Sequence, residues 1–166
     1  MNSGFRSERS ASLKQREQVM SPATVLEIMT TPVWTLQSMD TLHKAVMLMR
    51  NRQIRHAPVL AGERLVGILS DRDVRVYLPP PAHSVSEADG PDLDQVRVRE
   101  MMTEEPISIG PYHRVTAAAS VMLQRRIGAL PVVEEGKVIG IVTQTDVLRA
   151  LLGLLEGEAQ EVSNSR

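Results

Sequence analysis

The sequence predicts a mixed α+β fold in which one β-α-β-β-α unit occurs twice. Three observations lead to this prediction. Residues 25–75 and 98–149 align at an offset of 73, apart from a one-residue slip near the start. Each copy carries apolar residues at the spacing i, i+3, i+4 and i+7, which is typical of an amphipathic helix. Each copy also has two β-rich runs on either side of a glycine, as in a β-hairpin.

The offset of 73 matches residues of the same type along both copies. The matched pairs are Ala45 with Ala118, Met49 with Met122, Pro58 with Pro131, Gly67 with Gly140 and Asp73 with Asp146. One copy alone has few residues with which to cover its own sheet, whereas two copies packed face to face bury both sheets. The sequence therefore predicts one integrated unit.

Each copy begins with a short helix and a short strand. Thr24 and Glu27 have the spacing of a capping box, which predicts the start of a helix. A proline then ends this helix, and short strands are predicted at 33–35 and 107–109. The amphipathic helix follows, and Asp40 is the predicted N-cap of its first copy.

Each copy ends with a hairpin and a second helix. Gly62 and Gly136 are the predicted turn residues of the two hairpins. The second helices are expected to begin after Ser70 and after Thr143, and Gly153 is the predicted C-cap of the later one. The hairpin strands are predicted at 57–60, 65–69, 130–133 and 138–142.

Prolines and acidic residues concentrate between the copies, and the two ends of the chain are low in hydrophobicity. Such compositions are typical of linkers and of disordered termini. The predicted organisation is a disordered arm at 1–21, a first repeat at 22–77, a linker at 78–96, a second repeat at 97–154 and a disordered tail at 155–166.

The composition excludes several classes of function. With 19 basic and 20 acidic residues the net charge is −1, so no overall field attracts nucleic acid or an anionic membrane. The absence of cysteine excludes disulfides and thiolate metal sites and fits a cytosolic protein. No apolar run is long enough for a membrane helix, and the N-terminus lacks the apolar segment of a secretory signal. We therefore expect a cytoplasmic protein with no nucleic-acid and no membrane partner.

The usual signatures of enzymes are also missing from the sequence. The four histidines have neither HxH nor HExxH spacing, so we expect no metal site. There is no P-loop and no GxGxxG motif, and no pairing of a nucleophile with a base can be inferred. The sequence therefore predicts a protein that is not an enzyme and requires no cofactor.

Several short motifs occur in the same order in both copies. The first set is Ile28-Met29-Thr30-Thr31-Pro32, Ala45, Pro58-Val59 and the segment from Gly67 to Asp73, and the second is the segment from Met101 to Pro106, Ala118, Pro131-Val132 and the segment from Gly140 to Asp146. Together they resemble the cystathionine-β-synthase (CBS) domain, present as a tandem pair. The layout is similar to that of small stand-alone bacterial CBS-pair proteins, including the acetoin-utilisation type.

The resemblance implies both an architecture and a function. The repeats would be related by a pseudo-twofold axis, with two clefts that bind adenosine-containing ligands such as AMP, ADP, ATP or S-adenosylmethionine. The chain would act as a regulatory, energy-sensing module, would form a homodimer and would control a further protein that the sequence does not identify. The alternative is a dimerisation or protein-interaction scaffold with the same fold and no ligand.

Two acidic residues are the candidate ribose ligands. The carboxylates of Asp73 and Asp146 can each accept two hydrogen bonds from a ribose diol. Ser70 and Thr143 stand at helix starts, where backbone N–H groups and the helix dipole favour phosphate. Each Ser/Thr-x-x-Asp spacing is also that of a plain capping box, and the two roles are compatible. The resemblance favours the ribose role, because in the CBS family this aspartate contacts ribose.

Basic residues distinguish the two candidate sites. Arg55, His56 and Arg72 are the phosphate candidates of the first copy. The second copy has Gly128 in place of Arg55 and Thr145 in place of Arg72. We therefore expect the first site to prefer more phosphate charge and the second site to suit an adenosyl group with fewer phosphates.

The resemblance also implies an apolar pocket for adenine at each site. The glycines of the adjacent strands, Gly67 and Gly140, are expected to let a ligand approach the backbone closely. The residues implied for the pocket are Val33, Ala57, Pro58, Ile107, Leu130 and Pro131.

Overall fold

The computed structural model describes residues 23–77 and 92–164. The mixed α+β class and the two repeats are confirmed. The elements in chain order are α1 (Val25–Ile28), β1 (Leu36–Gln37), α2 (Leu42–Arg52), β2 (His56–Ala61), β3 (Arg64–Ser70), α3 (Asp71–Tyr77), a 3₁₀ turn (Val98–Glu100), β4 (Thr103–Glu104), α4 (Val115–Arg125), β5 (Ala129–Glu134), β6 (Lys137–Thr143) and α5 (Gln144–Asn164).

The strands form two sheets. The first has the order β1-β2-β3-β4, with β1 parallel to β2 and the other neighbours antiparallel. The second consists of the antiparallel pair β5-β6. Leu36 of β1 lies opposite Val59, and in the second repeat a parallel bridge joins Ile109 to Val132 at the same positions. Both repeats therefore place one short parallel segment beside their hairpin.

The two repeats exchange the segment that follows their first helical turn. Thr103 of the second repeat pairs with Ile68 on β3 of the first repeat. Thr30 of the first repeat pairs with Ile141 on β6 of the second. The offset of 73 converts one pair into the other, with the repeats in swapped roles. This is the relation that a pseudo-twofold axis produces, so the predicted symmetry is confirmed.

A second exchanged contact lies at the start of each repeat. Thr24 bridges to Arg114, and Arg97 bridges to Thr41, again at the offset of 73. The capping box predicted at Thr24 is present, since the Glu27 carboxylate accepts a hydrogen bond from the Thr24 backbone N–H. Each repeat therefore closes the other at two places.

The exchange extends into the hydrophobic cores. Val98 of the second repeat is fully buried in the first core, and Val25 of the first repeat is fully buried in the second. The first core otherwise consists of Leu36, Leu42, Ala45, Met49, Ala57, Val59, Leu69 and Val74, and the second of Ile109, Ala118, Met122, Leu130, Val132 and Val142. Neither core is complete without one valine from the other repeat.

The glycines of β3 and β6 make room for the exchanged segments. A Cβ at Gly140 would lie 2.6 Å from Met29 Sδ and 3.2 Å from the carbonyl oxygen of Thr30. A Cβ at Gly67 would meet the side chain of Met102 in the same way. The close approach that the sequence predicts at these glycines is therefore made by methionines of the other repeat, and the expected space for a ligand is not there.

Two local predictions near the start of the first repeat are wrong. The strand predicted at 33–35 lies instead at Leu36–Gln37, because the preceding residues cross from one sheet to the other. In the second repeat only Ile109 of the predicted strand 107–109 is paired. The N-cap of α2 is Thr41, whose Oγ1 accepts a hydrogen bond from Lys44 N, while the carboxylate of Asp40 accepts one from Gln37 N.

The second half of α5 also departs from the prediction. Gly153 was expected to end this helix and 155–166 to be disordered, but the helix continues to Asn164. The helix contains two glycines, Gly153 and Gly157. Each costs only about 1 kcal/mol inside a helix, which the surrounding leucine, alanine and glutamate residues offset. The hairpin turns are as predicted, with positive φ at Gly62 and Gly136.

The arm at 1–21 and positions 78–91 of the predicted linker lie outside the described residues. The remaining linker residues, 92–96, are irregular and pack on the first core through Leu93 and Val96. Their carbonyl oxygens accept hydrogen bonds from the backbone N–H groups of His43 and Leu42, at 3.1 and 2.9 Å. The end of the linker therefore satisfies the free donors at the start of α2.

The close contact at Gly140 predicts a loss of stability on substitution. Gly140→Ala should lower the free energy of unfolding by about 1–3 kcal/mol, because the Thr30 backbone must move away from the new methyl group. Gly153→Ala is the control: nothing lies within 4 Å of its Cβ position, and the exchange of glycine for alanine inside a helix should stabilise the protein. Urea denaturation measures both variants, and an unchanged stability of Gly140→Ala would contradict the exchange.

Candidate functional site

The first candidate site is built where β3 passes directly into α3. Asp73 Oδ2 accepts a hydrogen bond from Ser70 N at 2.9 Å and another from Ser70 Oγ at 2.6 Å. Ser70 Oγ in turn accepts a longer one from Asp73 N, at 3.3 Å. The capping box that the sequence predicts is therefore formed, and it holds the carboxylate at the end of the sheet.

The second site has the same geometry. Asp146 Oδ2 accepts hydrogen bonds from Thr143 N at 2.9 Å and from Thr143 Oγ1 at 2.7 Å. Asp146 is only 8% exposed, and Arg149 Nη1 lies 3.6 Å from its Oδ1. In both sites the cap uses Oδ2, so that Oδ1 can accept a hydrogen bond from a further donor.

Backbone contacts tie the start of the hairpin to each site. Asp71 N donates to the carbonyl oxygen of Arg55 at 2.8 Å, and Gln144 N donates to that of Gly128 at 3.0 Å. In the sheet register His56 lies opposite Ser70. The segment before the proline of each hairpin therefore lies beside the capped aspartate, as the sequence predicts for His56.

His56 lies between the two repeats. A Cβ at Gly128 would be 3.0 Å from His56 Nε2, so a glycine at 128 makes room for this ring. Burial lowers the pKa of His56, the carboxylates of Asp71 and Asp73 oppose that shift, and Arg55 adds to it. The sequence assigned His56 to the first site, whereas the structure brings its ring to the second repeat as well. The sequence signal for this contact was Gly128, which stands at the position of Arg55 and leaves space for the His56 ring.

The other basic candidates of the first site are dispersed. Arg55 is exposed and lines a cavity of about 490 Å³ between α2 and α3, together with Arg50, Asp71 and Arg75. Neither Ser70, His56 nor Asp73 lines this cavity. Arg72 is exposed on α3. The structure therefore groups His56 with Ser70 and Asp73 and directs Arg55 to a different surface.

The residues implied for the adenine pockets fall into two groups. Ala57, Pro58, Leu130 and Pro131 are buried in the two hairpins, and Ala57 and Leu130 belong to the cores. We call residues 30–36 and 103–109, which lead in each repeat from one sheet to the other, the crossing segments. Their two implied pocket residues remain accessible, Val33 in part and Ile107 at 41%.

Trp34 was not among the predicted site residues. It stands beside Val33, is 40% exposed and lies under the guanidinium of Arg52, at 3.7 Å from Cζ to the ring centre. It is the only tryptophan of the chain. The signal in the sequence was the rarity of aromatic residues, which make up only 2% of the chain. Its indole serves as a fluorescence reporter of the first crossing segment.

Within 23–77 and 92–164 no group of three or more histidine, aspartate or glutamate side chains is arranged to hold a metal ion. No helix in the same part of the chain combines the length and the apolar character that crossing a bilayer demands.

A family model for the CBS domain matches the chain twice, at residues 25–80 and 98–153. These two matches include both exchanged segments and both capped aspartates. Together they span more than half of the chain.

Several curated proteins are similar in sequence. A CBS domain-containing protein of Dictyostelium discoideum is 31% identical over 137 residues, which cover 80% of this chain and 93% of that protein. The CBS domain-containing protein YhcV of Bacillus subtilis is 31% identical over 75% of this chain and 83% of its own length. Inosine-5'-monophosphate dehydrogenase of Korarchaeum cryptofilum is 35% identical over 69% of this chain, which spans only 21% of that enzyme.

Solved structures have the same fold. The protein AcuB of Vibrio cholerae, assigned to acetoin utilization, superposes with a TM-score of 0.67 at 28% identity, over 84% of this chain and 97% of its own. The CBS domain pair of protein MJ0100, in complex with 5-methylthioadenosine and S-adenosyl-L-methionine, has a TM-score of 0.66 at 25% identity, over 80% and 98%. CBSX2 in complex with AMP has a TM-score of 0.64 at 25% identity, over 79% and 97%.

The buried cap predicts different costs for two substitutions of Asp146. Asp146→Ala removes the acceptor of the Thr143 N–H and should lower the free energy of unfolding by about 0.5–2 kcal/mol. Asp146→Asn keeps an oxygen acceptor and should cost less than Asp146→Ala. Urea denaturation of both variants measures the difference, and equal losses would contradict the importance of the cap.

The lowered pKa of His56 predicts a loss of stability in acid. A histidine whose folded-state pKa lies below its unfolded value of 6.5 binds its proton more readily in the unfolded chain. The part of the stability that depends on an uncharged His56 is therefore present at neutral pH and is lost as the pH falls below 6.5. His56→Gln should lose less stability between about pH 7.5 and pH 5.5 than the unmodified protein. His113→Gln, at an exposed position, is the control and should follow the unmodified protein.

Proposed function

Because the chain belongs to the CBS-domain family, we propose that it is a non-catalytic regulatory module that binds adenosine-containing ligands at its two capped aspartates. One observation carries the proposal: the same hydroxyl–carboxylate pair stands at the same strand-to-helix junction in both repeats. The first helices of the two repeats share only the carboxylate half of such a cap, with Glu27 accepting from Thr24 N and Glu100 from Arg97 N, and Arg97 has no hydroxyl. The hydroxyl is kept in both repeats only at Ser70 and Thr143.

The proposed ligand contacts follow from the chemistry of the site. Asp73 and Asp146 accept hydrogen bonds from the ribose hydroxyls through Oδ1, with the cap as the support for Oδ2. At Asp146 the ribose takes the place beside Oδ1 that Arg149 Nη1 approaches to 3.6 Å. Ser70 and Thr143 lie nearest to the phosphate end of the ligand. CBSX2 with AMP, and the MJ0100 pair with S-adenosyl-L-methionine, support this ligand class.

We assign the adenine ring to the space beside the crossing segments. Val33 and Ile107 are the accessible apolar side chains there. The buried residues of the predicted pockets, Ala57, Pro58, Leu130 and Pro131, contribute through the edge of their strands rather than through free side chains.

The preference of each site for phosphate follows from its charge. Arg72 of the first repeat is replaced by Thr145 in the second. Arg55 lines a different surface and does not add to this charge. With Arg72, the first site takes ligands with more phosphate charge, and the second an adenosyl group with fewer phosphates. His56, which contacts both repeats, contributes to the two sites in common.

Because the repeats exchange segments, ligand binding can change how the two repeats pack on each other. A ligand at one aspartate contacts a strand that pairs with the other repeat, so differential binding shifts the packing of the two repeats. A partner protein that contacts both repeats then reads this shift. We also propose that the chain forms a homodimer, because α4 and α5 expose several large leucines.

Thermal unfolding in the presence of ligands tests the proposal. The panel is AMP, ADP, ATP, S-adenosylmethionine and, as a control, GMP. A ligand at 100 times its dissociation constant should stabilise the protein by about 2.7 kcal/mol. Asp73→Asn and Asp146→Asn identify the occupied site, because asparagine keeps a cap acceptor and loses the charge that binds the ribose.

The outcomes separate the two candidate functions. Stabilisation of the unmodified protein, lost in one asparagine variant, supports ligand binding and assigns the site. A titration followed by Trp34 fluorescence checks the result without unfolding the protein. If no adenosyl ligand changes either signal, the ligand proposal is wrong and the scaffold function replaces it.

A further inference from the structure

The two repeats present helical faces of different chemistry. We call the surface of α2 and α3 the first helical face and the surface of α4 and α5 the second helical face. The offset of 73 relates Arg50 to Leu123 and Arg75 to Leu148. The same backbone positions therefore carry guanidinium groups in the first repeat and isobutyl groups in the second.

The second helical face is an exposed apolar stripe. Leu123 is 78% exposed and Leu148 is 58% exposed. Along α5 the exposed leucines at 148, 151, 152 and 155 have the spacing i, i+3, i+4 and i+7, which places them on one side of the helix. A stripe of this kind is unfavourable in water and is typical of an interaction surface.

The first helical face is polar at the positions that match Leu123 and Leu148, and its exposed apolar side chains, Met47 and Val76, stand at other positions. Arg50 and Arg75 line the cavity of about 490 Å³ between α2 and α3, together with Arg55 and Asp71. Arg75 Nη2 lies 2.8 Å from Asp71 Oδ2, and both side chains are partly exposed. Covering these groups with apolar side chains would remove water from charges and give no new partner in return.

We propose that the homodimer forms with like faces together, so that the second helical face of one protomer packs on the second helical face of its partner. This inference rests on the homodimer of the proposed function and adds its orientation. In the opposite orientation each leucine stripe would cover a set of arginines, twice per dimer. With like faces together, the leucines bury one another across the twofold axis. The charged groups of the first helical faces then stay in contact with water or remain paired, as Arg75 is with Asp71.

Single-cysteine variants test the orientation, because the natural chain contains no cysteine. Leu148→Cys and Arg75→Cys are matched positions of the two faces. With like faces together, Leu148→Cys alone should form a covalent dimer as the main product with a short bismaleimide. A mixture of differently tagged Leu148→Cys and Arg75→Cys chains should give no product that joins the two tags.

The outcomes distinguish the orientation from the dimer itself. A mixed product without self-crosslinking of Leu148→Cys overturns the orientation and leaves the homodimer in place. Sedimentation of the unmodified protein as a monomer overturns the homodimer. If the protein is a dimer and neither variant crosslinks, the interface lies outside the two helical faces. This outcome also overturns the inference.

A pair of substitutions gives an independent measurement. Leu148→Arg should sediment as a monomer at concentrations at which the unmodified protein is a dimer, because it puts a charge into the apolar contact. Arg75→Leu, its matched control, should remain a dimer. A single cooperative unfolding transition of the Leu148→Arg monomer would separate lost association from lost folding. A dimeric Leu148→Arg variant would overturn the inference.

Discussion

The pairing of Thr30 with Ile141, and of Thr103 with Ile68, is the contact on which the rest of the molecule depends. Each pair joins the opening segment of one repeat to the last strand of the other. The same exchange carries one valine into each opposite core and seats a methionine on the glycine of the facing strand. Since both cores are closed in this way, the two repeats are stable only as one unit.

The exchange also determines where the candidate sites lie. β3 and β6 are held by the other repeat in their middle and pass at their ends into the capped helices. Ser70 and Thr143 therefore stand where a strand that pairs with the other repeat passes into a helix. A structural change at either aspartate therefore affects both repeats. His56, whose ring needs a glycine in the other repeat, adds a second connection of the same kind.

Much of the fold could be predicted from the sequence because its signals are local or repeated. The capping boxes at Ser70 and Thr143, the turns at Gly62 and Gly136 and the helical stripes all depend on residues close together in the chain. The exchange could not be predicted, since the two repeats have the same motif around Ile68 and Ile141 and so offer Thr30 the same partner pattern at both places. The length of α5 was missed because Gly153 is a weak helix breaker among strong helix formers. For the site, the residue types were accessible from the motif, whereas the separation of Arg55 from His56 depended on side-chain direction.

The exchanged segments have a consequence for the birth of the protein on the ribosome. When residue 77 has been synthesised, the first repeat still lacks Val98 and β4, so its core is open on one side. Thr30, made early, waits for a partner roughly 110 residues later in the chain. The segment around Thr30 is thus the last to find its place, and the first repeat has an unpaired strand edge until the second repeat has been synthesised. Exposed strand edges of this kind make folding intermediates prone to aggregation.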